Sequence, residues 1–84
     1  MNTQEMNRYF KQGFSDGYFV DSLPGIDFKI GDIVTYTNDD GIEYKYHRIV
    51  AFGTKHYLAK YGHCVFLDKD SFWYPVKPGN ITKQ

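Results

Sequence analysis

The stretch from Phe28 to Phe52 constrains this chain more than any other. Lys29-Ile30-Gly31-Asp32 leads into Ile33-Val34-Thr35-Tyr36, Asn38-Asp39-Asp40-Gly41 follows, and a second apolar and aromatic run extends to Phe52. β-Branched and aromatic residues suit a pleated strand, whereas Asn, Asp and Gly supply the side-chain acceptors and left-handed backbone that a tight turn needs. The segment therefore predicts a β-hairpin, with strands over about 32–37 and 42–52. In the second strand Ile42, Tyr44 and Tyr46 alternate, but the apolar phase has changed by Ile49. A one-residue change of phase predicts a bulge near His47-Arg48, and a bulged, bent strand is how a small sheet curls towards a barrel.

The 84 residues are expected to form one domain, and a chain of this size buries only around 60–65% of the surface it exposes when unfolded. Its core must then be dense in large side chains. Sixteen Phe, Tyr and Trp residues meet that need, since each buried ring removes roughly 150–250 Å² from water. Cys64 is the lone cysteine and has no internal partner, so neither a disulfide nor an extracellular setting is expected; a reducing cytoplasm is. The start, Met1-Asn2-Thr3-Gln4-Glu5, lacks the basic-then-apolar pattern of an export signal, and no apolar run approaches the ~18 residues of a membrane span.

Upstream of the hairpin, Met6, Tyr9, Phe10 and Phe14 recur at helical spacing, with Thr3 as a candidate N-cap and Glu5 in the first turn where the helix dipole favours an acid. A helix within residues 1–18 is predicted, ending between Ser15 and Phe19, with Gly13 and Gly17 allowing close approach to another backbone. Val20 to Gly25 reads as a connection, because Pro24 holds Leu23 extended and Pro-Gly favours a turn. Past Phe52, strands are expected at about 56–60, 64–67 and 72–76, divided by Gly53-Thr54-Lys55, Tyr61-Gly62-His63 and Asp68-Lys69-Asp70. The predicted architecture is α+β: an N-terminal helix packed on a five-stranded antiparallel sheet or partly open barrel over residues 26–84.

Phe28-Lys29-Ile30-Gly31-Asp32-Ile33-Val34 resembles the turn-and-strand signature of Src-homology-3-like small barrels, and Trp73-Tyr74-Pro75-Val76 followed by Pro78-Gly79-Asn80-Ile81 resembles that family's closing strand and short 3₁₀ turn. The resemblance implies the barrel shape. It does not extend to the family's acidic loop and N-terminal aromatic pair, so peptide specificity is not implied. Gly31 to Tyr36, His47-Arg48-Ile49-Val50, Tyr57, Lys60, Pro75-Val76 and Asn80-Ile81 also resemble the β framework of signal peptidases, in which the His of a His-Arg-Ile segment can serve as general base. The Ser-Met-x-Pro setting of the catalytic serine has no counterpart around Ser15 or Ser22, which implies at most a catalytically dead relic. In size and composition the chain is similar to small accessory proteins of phages and other mobile elements that bind and redirect a host protein.

His47, His56, His63, Cys64 and Asp68 are the pool from which a metal or nucleophilic site would have to come. Zinc ligands normally pair two to four residues apart on two segments, and His63-Cys64, adjacent on a strand, point to opposite faces. Cys64-Val65-Phe66-Leu67 reads as buried strand, so Cys64 is expected to be a core thiol. Asp39, Asp40 and Glu43 fit turn chemistry rather than a calcium loop. No metal, cofactor or catalytic residue is expected.

One constellation has binding character. Lys45, Arg48, Lys55 and Lys60 interleave with Tyr44, Tyr46, Tyr57 and Tyr61, and Trp73 adds a further large aromatic. Such a face can neutralise phosphates and stack bases, or it can present the Tyr, Trp and Arg side chains that dominate protein interfaces. The bland alternative is that the rings cover the core and the lysines keep the surface soluble. Formal net charge is zero, with residues 1–43 at about −5 and 44–84 at about +5, which argues against a simple polyanion binder. The expectation is a stoichiometric protein-binding module, inhibitory or regulatory, that contacts its partner through Tyr44, Tyr46, Arg48, Tyr57, Lys60, Tyr61 and Trp73; a nucleic-acid-binding barrel is the alternative.

Overall fold

A computed structural model describes residues 3–54, 63–69 and 71–83. The helix α1 spans Thr3–Ser15, followed by strands β1 (Phe19–Val20), β2 (Ile33–Thr37), β3 (Glu43–Gly53) and β4 (Val65–Leu67), a 3₁₀ turn (Pro78–Asn80) and β5 (Ile81–Lys83). The strands pair antiparallel in the order β1-β3-β2-β5, with β4 also on β3, and the sheet does not close. The fold is α+β, as predicted, with β3 at its centre.

The helix stops where its chemistry says it should. Gly17 takes a left-handed φ of 79°, Tyr18 N–H donates to Gly13 C=O at 2.9 Å, and Gly17 N–H donates to Phe14 C=O at 3.3 Å. Together these form a Schellman cap. Thr3 is already helical rather than a cap. Gly13 and Gly17, predicted to bring another backbone close, do not: Gly13 is buried against the side-chain ring of Phe19, where no Cβ would fit, and Gly17 faces open space.

The hairpin turn is closed by Asn38, whose Oδ1 accepts the N–H groups of Asp40 and Ile42 at 2.9 Å each, while Gly41 supplies a φ of 79°. Cα partners run Ile33↔Arg48 and Val34↔His47, then shift to Tyr36↔Tyr44 and Thr37↔Glu43. Lys45 and Tyr46 therefore oppose the single residue Thr35. The bulge lies just before the predicted position, and Tyr46 absorbs it with a φ of 63°. A second register shift, between Ile49 and Ala51, separates the two halves of β3 where it pairs with β4.

Two apolar clusters result. Val34, Ile49, Phe52, Val65, Leu67 and Ile81 pack together on one face of the sheet, with Leu23, Cys64 and Val76. On the other face Ala51, Phe66 and Phe19 meet Met6 and Phe10 of α1, with Phe72 alongside. Phe66 lies 4.7 Å from Phe19 and 5.6 Å from Phe10 between ring centroids, and burial of each such ring contributes roughly 1.5–3 kcal/mol. Strand β4 is buried on both faces, which explains its uninterrupted apolar sequence.

Two expectations need correcting. Val20, assigned to a connection, belongs to β1, which pairs Phe19↔Gly53 and Val20↔Phe52. Residues 72–76 do not form a strand: Tyr74 N–H closes a turn onto Ser71 C=O at 3.0 Å, and only Val76 bridges to Val65. The closing strand is instead β5, after the 3₁₀ turn, paired with β2. The strand expected at 56–60 falls outside the described residues. Among the described residues, no helix is long and apolar enough to cross a membrane.

Candidate functional site

The bulge decides which side chains share a face. In a regular strand Tyr44 and Tyr46 would point together and His47 away, but residues directly opposed across a ladder lie on the same face. The pairs Tyr36↔Tyr44 and Val34↔His47 therefore place Tyr44 and His47 on one side with Tyr36 and buried Val34. That side is the core face, and beyond Val34 the sheet stays open. Tyr36, Tyr44 and His47 line the opening.

The opening is a cleft of about 380 Å³, completed by Asn38, Asp68, Lys69 and Ser71. Tyr36 and Tyr44 stack with centroids 6.0 Å apart and planes 20° from parallel. Asp68 follows β4 and is fixed from β3: its Oδ1 accepts Arg48 N–H at 2.7 Å and lies 3.3 Å from His47 Nδ1, while Asp68 N–H donates to Arg48 C=O at 3.0 Å. The Lys69 ammonium sits over the Tyr36 ring, 4.7 Å from its centroid. Burial pushes the Lys69 amine below its ordinary pKa. It pushes the Tyr36 hydroxyl up, with Asp39, Tyr44 and Tyr74 adding to the rise. A smaller depression of about 80 Å³ continues past Tyr36 to Tyr74 and His63, whose rings are 6.1 Å apart.

Asp68 orients His47, and Ser71 lines the same cleft, but no hydrogen bond joins Ser71 to His47, so the pair is not extended to a nucleophile. Among the described residues no group of three or more His, Cys, Asp or Glu could hold a metal ion. Cys64 is fully buried, and burial raises its thiol pKa, the environment of an unreactive core cysteine.

The structure separates the predicted binding residues. Tyr44 is exposed at the cleft, and Tyr46 is 74% exposed on the bulge beside it. Arg48 follows His47 directly in β3 and so lies on the opposite face. Trp73 is 57% exposed, edge-on to Phe72 at 5.2 Å, on the side of the helix cluster. Tyr57, Lys60 and Tyr61, with Lys55, lie outside the described residues. Sequence reasoning missed Tyr36 and Lys69 as site residues and weighed Asp68 only in the pool for a metal or nucleophilic site and as a turn residue. The Tyr36 and Tyr44 pair could have been found by counting outward from the Asn38-Gly41 turn; the Asp68 and His47 contact spans 21 residues and has no local signal.

A second, larger groove of about 610 Å³ runs along α1, floored by Tyr9, Gly13, Tyr18 and Phe19 and rimmed by Glu5, Arg8, Gln12 and Asp16. Comparison with family models, curated proteins and solved structures found no match to this chain.

Proposed function

We propose that this chain is a non-enzymatic protein-binding module that acts by occupancy, as a stoichiometric inhibitor or regulator of a cytoplasmic protein, and that it engages its partner through the open end of the sheet. The observation that carries this reading is the concentration of exposed aromatic side chains there. Tyr44 and Tyr74 are 44% and 57% exposed beside the half-buried Tyr36, and Tyr46, 74% exposed, stands on the bulge two residues from Tyr44. Large, fairly rigid rings with a polar tip are the side chains that carry most interface energy, because they lose little entropy on contact. Polar groups fixed on the cleft wall, Asp68 above all, add direction to that apolar area.

The test is capture of a partner from nuclease-treated extract of the source organism, followed by titration of the purified partner. Tyr44→Ala should weaken binding by 2 kcal/mol or more, about 30-fold, on the usual hot-spot scale. Tyr46→Asn should weaken it too, Asn being chosen because it tolerates the positive φ at this position. Both variants should melt like the parent. Binding that survives both substitutions, or that vanishes with nuclease and shows a steep salt slope, would overturn the reading; the second outcome would transfer the site to single-stranded nucleic acid.

A further inference from the structure

The cleft already contains a cation. Lys69 ends over the face of Tyr36, 4.7 Å from its centroid, where the negative π-face attracts positive charge. That ring is one of a pair, because Tyr44 stacks on Tyr36 with planes 20° from parallel. In the same cleft Asp68 spends one oxygen, Oδ1, on both Arg48 N–H and His47, and among the described residues Oδ2 forms no hydrogen bond. Asp39 adds a second negative charge close to Tyr36. An aromatic face with carboxylates beside it matches a planar guanidinium better than a compact ammonium, since guanidinium both stacks and offers parallel N–H donors.

We propose that the Tyr36 ring face, backed by Tyr44, is with Asp68 a recognition site for an arginine side chain of the partner protein, and that Lys69 is a resident competitor that must swing out before the arginine enters. The inference rests on the protein-binding reading and names the group recognised. Lys69 is only part-buried, so it can leave the ring for water. Its departure removes a like charge from the site, which couples entry of the guanidinium to release of the amine.

The sign of the ligand charge makes the idea testable without any partner. The intact protein is titrated with N-acetyl-arginine-amide and, separately, with N-acetyl-glutamate-amide, following the ring resonances of Tyr36 and Tyr44 by NMR. The arginine compound should bind weakly and shift both rings. Lys69→Met should tighten it roughly 2- to 5-fold, the scale of an exposed cation–π contact, and Asp68→Asn should weaken it while the melt shows the domain still folded. Should Asp68→Asn unfold the protein, the Lys69→Met comparison alone decides. Preferential binding of the glutamate compound that is lost in Lys69→Met would overturn the proposal, since Lys69 would then be an anion contact. Absence of any shift in either ring would overturn it equally. Neither failure touches partner capture through Tyr44 and Tyr46, which is read in a separate assay.

Discussion

Replacing Gly13 by Ala should destabilise the domain, against the helix preference of alanine. A Cβ at residue 13 would fall on Cδ2 and Cε2 of Phe19, well inside the 3.0 Å that real Cβ atoms keep from a neighbour. The ring has no easy retreat: Phe10 and Phe66 stand 5.3 and 4.7 Å from it, Tyr9 stands at 5.6 Å, and its own backbone is tied to Gly53. Overpacking of this kind costs about 1–3 kcal/mol, whereas alanine regains at most about 1 kcal/mol of helix propensity. The net loss should be about 1–2 kcal/mol, and at roughly 4–8 °C per kcal/mol for a domain of this size Tm should fall by about 5–15 °C. Thermal and urea melts followed by far-ultraviolet circular dichroism would measure it. A double-mutant cycle isolates the cause, because Phe19→Leu should cost less in the Gly13→Ala background than in the parent, by 0.5 kcal/mol or more. Gly17→Ala is the control: its site is open space at a φ of 79°, so it should lose about 1–2 kcal/mol for backbone reasons and show no coupling to Phe19. A Gly13→Ala protein that melts at or above the parent temperature, or a cycle without coupling, would refute this account of the helix–sheet contact.

Removing residues 1–16 deletes Met6 and Phe10 and bares Phe19, Phe66 and Phe72, so it should cost several kcal/mol, the scale of core deletions, and increase binding of hydrophobic dyes; a truncated chain that melts like the full one would detach the helix from the core. Cys64 should resist thiol reagents in the folded state and react once urea unfolds the chain. Because burial raises its folded pKa, the unfolded chain loses the thiol proton first, so Cys64 contributes stability that is present below its ordinary pKa of 9.0 and lost as pH rises through the folded value. Melts between pH 8 and about 10.5 should show that decline, and Cys64→Ala should flatten it.

How much of this could be read from residues alone differs by element. The hairpin was legible because its instructions are local: Asn38 and Gly41 shape the turn, and alternation marks the flanking strands. The helix was legible through the spacing of Met6 and Phe10. Strand β1 was not, because two residues beside a cap carry no periodicity, and their pairing with Phe52 and Gly53 is a distant event. Phe72-Trp73-Tyr74 imitates a strand in composition, yet only Phe72 turns inward while Trp73 and Tyr74 face water. The site was half legible. Tyr44, Tyr46 and Trp73 were identified as aromatics, but the faces of Tyr44 and Tyr46 depend on where one extra residue enters β3, and Asp68 reaches His47 only once β4 has docked.

Strand β3 is shared property. Its second half puts Ile49 and Phe52 into one apolar cluster and Ala51 into the other, and it pairs with β4 while the first half pairs with β2. Neither layer can be assembled around a disordered β3, and once β3 is ordered both layers have their template. Among the described residues the two apolar clusters therefore share one strand, so loosening that strand would loosen both. A binding surface mounted on such a strand inherits the stability of the whole domain rather than of its own neighbourhood.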